Sequence, residues 1–157
     1  SNNLGNLIQR ISSFIVKNSE SKVLKPKKFN QNDEKLLKLF KKNFDNYLTH
    51  MNLFQIDRAL KNIFEYLSEV NAYVDTEAPW SLKNTNQERM RDVLYIVTIL
   101  TIRCSVLLFP IIPSSINNIL KIYNLSIENL DFENINNFFP DHLKLNKPSP
   151  IFPRIEL

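Results

Sequence analysis

The sequence predicts an all-α fold: a bundle of four long helices and a short fifth, ending in an irregular C-terminal tail. Three observations carry this. Residues 56 to 74 place Ile56, Leu60, Ile63, Leu67, Val70 and Val74 at alternating steps of four and three, a seam that suits helix-on-helix packing. The 157 residues contain one glycine, which disfavours the tight hairpins of an all-β fold. The prolines gather between the periodic segments and in the tail, where they interrupt helices rather than lie within them.

The elements follow in order. Residues 3 to 17 set Leu4, Leu7, Ile8, Ile11, Phe14 and Ile15 on one helical stripe. Residues 18 to 32, with Pro26 and the basic run "KVLKPKKF", read as a loop. Asp33 is positioned to cap a second helix, "DEKLLKLFKKNFDNYLTHM", whose first turn is acidic as the helix dipole favours. Asn52 is expected to cap the third helix, which ends near Pro79. A polar stretch, "SLKNTNQE", separates it from a fourth helix over roughly 86–109. The apolar second half of that helix predicts a central position, with Pro110 and Pro113 ending it. "SSINNILKIYNL" makes the short fifth helix. Residues 125–157 carry prolines at 140, 148, 150 and 153 and read as an irregular tail with at most a short turn. The division expected is a helix bundle over 1–124 and a tail over 125–157.

Composition bounds the function. With 43% hydrophobic and 23% charged residues the chain has the make-up of an ordinary globular domain with a sizeable core. A single glycine excludes glycine-rich phosphate loops, in which several glycines let the backbone approach phosphate. Abundant Asn, Ile and Lys reflect an AT-rich coding sequence. The net charge of +4 is compatible with a polyanion partner but does not require one. Cys104 lies in the apolar run "ILTIRCSVLLF" and reads as a small buried hydrophobe in a reducing compartment. No apolar stretch is long enough to span a membrane, since residues 93–109 are interrupted by Arg103. The first residues lack a secretory pattern. A chain that opens on Ser1 with helical periodicity at once suggests a piece of a longer protein.

Catalytic equipment is sparse. His50 and His142 are far apart in sequence, and neither belongs to a cluster at metal-ligand spacing. Asp33 and Glu34 have a sufficient role at a helix N-terminus. Asp75 and Glu77 fall near a helix C-terminus, where negative charge is mildly unfavourable, and no third group makes them an active site. Binding features are richer. Asn6, Arg10, Ser13 and Lys17 recur at steps of four, three and four and form a polar stripe beside the apolar one. Most such stripes are solvated faces. Asn6 and Arg10, however, project side by side with Cβ atoms about 6 Å apart, an array of donors with one acceptor that suits a base edge. Trp80, the sole tryptophan, offers a flat stacking surface, although composition alone favours a packing role for it. The lysines at 22, 25, 27 and 28 either track a phosphate backbone or form a solvated loop.

These residues carry a resemblance. "GNLIQR", "NAYVDTEAPW", "LLFPIIPSS" and "PIFPRIE", in that order along almost the whole chain, resemble the anticodon-binding domain of methionyl-tRNA synthetases. A Pro-Trp ending after the third helix recurs in related class I synthetases. The pair Asn6 and Arg10, with Asn71, Tyr73, Pro79 and Trp80, is more particular to the methionine enzymes. "PIFPRIE" resembles the terminal signature of the bacterial short form.

The resemblance implies a non-catalytic helical domain that grips the CAU anticodon loop. Trp80 would stack on its first base, cytosine, with Asn6 and Arg10 at that base's polar edge. Ser13, Asn71, Tyr73 and Pro79 are implied as supporting residues; Asn71, Tyr73, Asp75 and Glu77 are expected to include braces for the helix end that carries Trp80, with Tyr73 packed rather than exposed, and Lys25, Lys27 and Lys28 are possible phosphate contacts. The two ATP-binding signatures of class I synthetases are absent from these residues. ATP with magnesium is therefore implied for an upstream catalytic domain, and no cofactor or metal for this segment. The expected partners are initiator and elongator methionine tRNAs and the enzyme's own catalytic domain, in a cytoplasmic monomer without membrane association. Phe152, Pro153 and Arg154 are expected to fold back toward that catalytic body. Two other readings compete: a protein-interaction bundle without RNA specificity, and a DNA-binding helical domain, disfavoured because no helix-turn-helix with a glycine turn is visible.

Overall fold

A computed structural model describes residues 3–148. The helices are α1 (Asn3–Asn18), α2 (Gln31–Asn52), α3 (Ile56–Glu77), α4 (Pro79–Thr85), α5 (Gln87–Leu108) and α6 (Pro113–Ile122). The all-α class therefore stands. A two-stranded antiparallel ladder is added to it, β1 (Lys22–Leu24) against β2 (His142–Lys144), with Val23 opposite Leu143.

The bundle is organised around α5. Every residue from Val93 to Leu108 is buried, and the helix packs against all five others. A helix apolar on every side has no solvent face to offer, so the centre is where it buries the most surface. Around it, α1 presents Leu4, Leu7, Ile8, Ile11 and Ile15, and α3 presents Ile63, Tyr66, Leu67, Val70 and Val74. The seam in α3 runs deeper than its first residue: Ile56 is exposed where the helix emerges from the α2–α3 turn, and Leu60 is half-buried.

Several boundaries differ from expectation. Asn30, not Asp33, caps α2. Its side chain accepts from the Asp33 N–H, and Asp33 accepts in return from the Asn30 N–H, so Asp33 is the third helical residue of a capping box. Asn52 ends α2 rather than starting α3, whose cap position, Gln55, makes no side-chain capping bond. Pro113 begins α6 at its first turn, where a missing N–H costs nothing. The polar stretch after Pro79 is itself a helix, α4. The amide of Asn86 then caps α5 by accepting from the Arg89 N–H at 3.1 Å.

The loop at 18–32 and the tail correct each other. Neither three-residue strand is legible alone, because each is held by its partner. The tail also carries two short 3-10 turns, at Ile127–Asn129 and Ile135–Asn137. It is fastened to the bundle by Leu145 N–H to the Ser21 carbonyl at 2.7 Å, Asn146 N–H to Ile122 at 2.7 Å, and the Tyr95 hydroxyl to the Pro140 carbonyl at 2.7 Å. Buried Ile135, Leu143 and Leu145 extend the core beneath it. The expected fold-back of Phe152, Pro153 and Arg154 lies outside the described residues.

Candidate nucleic-acid interface

The turn between α3 and α4 sets the geometry. A single residue, Ala78, ends one helix and precedes the next, in the left-handed region at φ 46°, ψ 67°. Its N–H closes α3 on the Val74 carbonyl at 2.8 Å, and its carbonyl accepts the Ser81 N–H of α4 at 2.9 Å. An alanine held there stores about 1–2 kcal/mol of steric strain. Pro79, buried at the first position of α4, fixes the exit of the chain. Trp80 is thereby carried on α4 rather than on the end of α3, and it is turned against α1.

There the Arg10 guanidinium carbon lies 5.1 Å from the centroid of the indole, within cation–π range. Phe14 meets the same ring edge-on at 6.5 Å and 84°. Trp80 remains 37% exposed, so part of the ring faces solvent. Beyond Arg10 a groove of about 450 Å³ runs between α1 and α3, lined by Asn3, Asn6 and Arg10 on one wall and Ser68, Asn71 and Asp75 on the other. Asn6 and Arg10 are exposed, and Asn71 is half-buried with its amide N–H donated to the Leu67 carbonyl at 3.1 Å. No carboxylate lies within ion-pair distance of Arg10 among the described residues.

The structure thus brings Asn6, Arg10, Asn71 and Trp80 together from three helices. Other candidate residues are elsewhere. Ser13 is half-buried and does not line the groove; nor do Lys25, Lys27 and Lys28. The Lys25 ammonium sits 5.5 Å from the Phe139 ring, and its backbone N–H is bonded to Asp141, so the basic segment is tied to the tail.

Tyr73 is buried, and its hydroxyl donates to Asp33 Oδ1 at 2.6 Å. It belongs, with Glu77, to the brace expected at this helix end, but the sequence did not reveal that Asp33 and Arg89 complete it. Arg89 at the start of α5 binds Asp33 with both terminal nitrogens, each at 2.9 Å, and reaches Glu77 at 2.9 Å. Burial by itself would raise the Asp33 pKa; the hydrogen bonds from Arg89, Tyr73 and the Asn30 N–H hold it below its ordinary value. Burial, then the bond to Asp33, pushes the Tyr73 phenol far above its usual range. The cluster ties the starts of α2 and α5 to the end of α3, directly under the turn that mounts Trp80. It also accounts for the acid at the C-terminal end of α3: Glu77 is there for Arg89. The Asn30–Asp33 spacing was a readable capping-box signal, but nothing local in the sequence marked Arg89.

The described residues hold no group of three or more His, Cys, Asp or Glu side chains able to bind a metal, and Cys104 is buried. None of the described helices is long and apolar enough to cross a membrane.

Fold and face together define an all-α bundle with an open face that sets a cation over an aromatic ring, and solved structures share that fold. The apo form of Mycobacterium tuberculosis methionyl-tRNA synthetase superposes with a TM-score of 0.89 at 27% identity, over 99% of this chain and 32% of that one. The same enzyme bound by methionyl-adenylate gives 0.88 at 27%, over 97% and 31%. The curated methionine–tRNA ligase of Rickettsia conorii is 34% identical over 99% of this chain and 32% of its own length. That of Brucella suis is 32% identical over 98% and 30%. The family model for the anticodon binding domain of methionyl tRNA ligase matches residues 23–156. The chain belongs to this family. It spans about a third of the length of the curated relatives it matches. The family-model match starts after α1, so Asn6 and Arg10 lie outside it, although the alignments to the relatives cover nearly the whole chain.

Proposed function

We propose that this chain is the anticodon-reading part of a methionine–tRNA ligase and that the Asn6–Arg10–Trp80 face takes the first base of a CAU anticodon. The carrying observation is the 5.1 Å approach of Arg10 to the Trp80 ring. It unites residues 70 positions apart into one donor-and-stacking surface, with Asn6 one helical turn further along.

The chemistry favours cytosine. That base offers O2 and N3 as acceptors and N4 as a donor; uracil reverses the pattern at positions 3 and 4. Arg10 donates only, whereas Asn6 donates and accepts. A base that takes the indole face competes with the guanidinium resting on it. The displaced Arg10, which makes no ion pair among the described residues, is then free to donate to the base edge, so stacking and reading become one event. On this reading methionine activation, with ATP and magnesium, belongs to the remaining two-thirds of the enzyme. Its substrates are the initiator and elongator methionine tRNAs, and its setting is a cytoplasmic monomer.

The test is binding of a CAU stem-loop against a UAU version, followed by fluorescence of the single tryptophan. The CAU loop is expected to bind more tightly. Equal affinity for the two loops would sink the specific-reader reading and leave the protein-interaction bundle. Replacing Lys22, Lys25, Lys27 and Lys28 with alanine should weaken both loops alike and flatten the salt dependence if that segment meets phosphates.

A further inference from the structure

A second cationic site lies away from the Trp80 face, where α2 and α5 meet the tail. Arg103 of α5 is 1% exposed. Its guanidinium carbon stands 5.3 Å from the Phe40 ring centroid and 4.6 Å from that of Phe139, and one terminal nitrogen donates to the Phe138 carbonyl at 3.0 Å. The buried Nε–H has no hydrogen-bond partner among the described residues, and no carboxylate comes within 4.0 Å of the group. Burial pulls its pKa down to about 10, which still leaves it charged at neutral pH. Ring faces and one carbonyl offset part of the desolvation of a guanidinium, but a buried charge ordinarily has a counter-charge.

A cavity of about 320 Å³ adjoins Arg103, lined also by Lys38, Lys41, Asn134, Asn136 and Glu133. Lys38 and Lys41 make no ion pair among the described residues, and Glu133 at the same cavity makes none either. The Asn136 side-chain oxygen is buried without a partner. A half-turn of that amide would replace the unpartnered acceptor with an N–H₂ donor, an assignment that hydrogen bonding decides. Among the described residues, three cations against one acid leave two positive charges around the cavity. A single carboxylate would neutralise one of them; a doubly charged oxyanion matches both.

We propose that this pocket is an anion site for a free phosphate ion, with Arg103, Lys38 and Lys41 as its cationic donors. Occupancy would join α2, α5 and the tail turn through one ligand and supply Arg103 with a counter-charge. The test is titration of the chain with inorganic phosphate against sodium chloride at matched ionic strength, following the Arg103 Nε–H resonance and the thermal midpoint. Phosphate is expected to move the resonance saturably and raise the midpoint. The double variant Lys38→Ala/Lys41→Ala, altered only at exposed positions, should fold and bind about tenfold more weakly. An unmoved resonance, or an equal response to chloride, overturns the proposal. It is also overturned if Glu133→Gln, without phosphate, shifts the resonance and lowers the midpoint, because Glu133 would then be the missing counter-ion.

Discussion

Two arginines serve the α3–α4 turn in opposite ways. Arg89 spends its donors on protein: both terminal nitrogens on Asp33, and one of them also on Glu77. Arg10, across the turn, has an aromatic face and open groove around it and no ion pair among the described residues. A cation whose partners are all internal holds structure. A cation left over an exposed ring, with polar side chains beside it, is available to a ligand. The contrast separates a cation committed to carboxylates from one left open within one end of the bundle, a distinction that residue type could not make.

The largest expected effect breaks the brace. Asp33→Asn removes the buried charge that Arg89 and Tyr73 bind and should cost about 3 kcal/mol in urea unfolding, the usual scale for a buried pair that loses one partner. The same pair predicts acid sensitivity. A carboxylate whose folded pKa lies below its unfolded one contributes stability above the unfolded value. That contribution disappears as pH falls through the folded value. The stability of the parent chain should therefore fall below the ordinary carboxylate range, with a shallower fall in Asp33→Asn. Matching acid profiles would mean that Asp33 does not carry this dependence.

Next comes the Trp80 face. Trp80→Ala should lose roughly 1–3 kcal/mol of CAU-loop affinity, measured with labelled RNA because the intrinsic signal is gone. Its unfolding midpoint should move much less than that of Asp33→Asn. A variant that unfolds easily yet binds normally when folded would reverse the two roles.

The smallest effect sharpens the comparison at the hinge between them. Ala78→Gly relieves a left-handed alanine and should stabilise by up to about 1 kcal/mol, offset in part by glycine's greater unfolded freedom. Lower stability, by calorimetry, would mean that the alanine methyl contributes packing that outweighs its strain.

Much of the fold was legible because helix periodicity is a local signal. The stripe in α1, the seam in α3 and the apolar run of α5 each announce a helix and its buried side within a few turns. The failures have local causes too. Asp33 looked like a cap because an acid before a periodic run commonly is one, yet Asn30 three residues earlier supplies the better geometry. The seven residues of α4 are too few and too polar to show a period. The strands around Val23 and Leu143 are three residues each, and their pairing spans 120 positions. The face itself was half legible: spacing set Asn6 beside Arg10, but Trp80 on its own residues favoured packing, and only the family resemblance attached it to that pair.

The sequence by itself determined the helical class, the central place of α5, the adjacency of Asn6 and Arg10, and the family. All of these follow from patterns that repeat within a helix or from blocks that can be read in order. Tertiary structure alone decided that Arg10 lies over Trp80, that Arg89 is consumed by Asp33 and Glu77, and that Arg103 is buried with no counter-charge among the described residues. Each of those is a meeting of side chains from separate elements. Whether a charge is paired or free depends on which helices pack together, and no spacing along one chain segment encodes that.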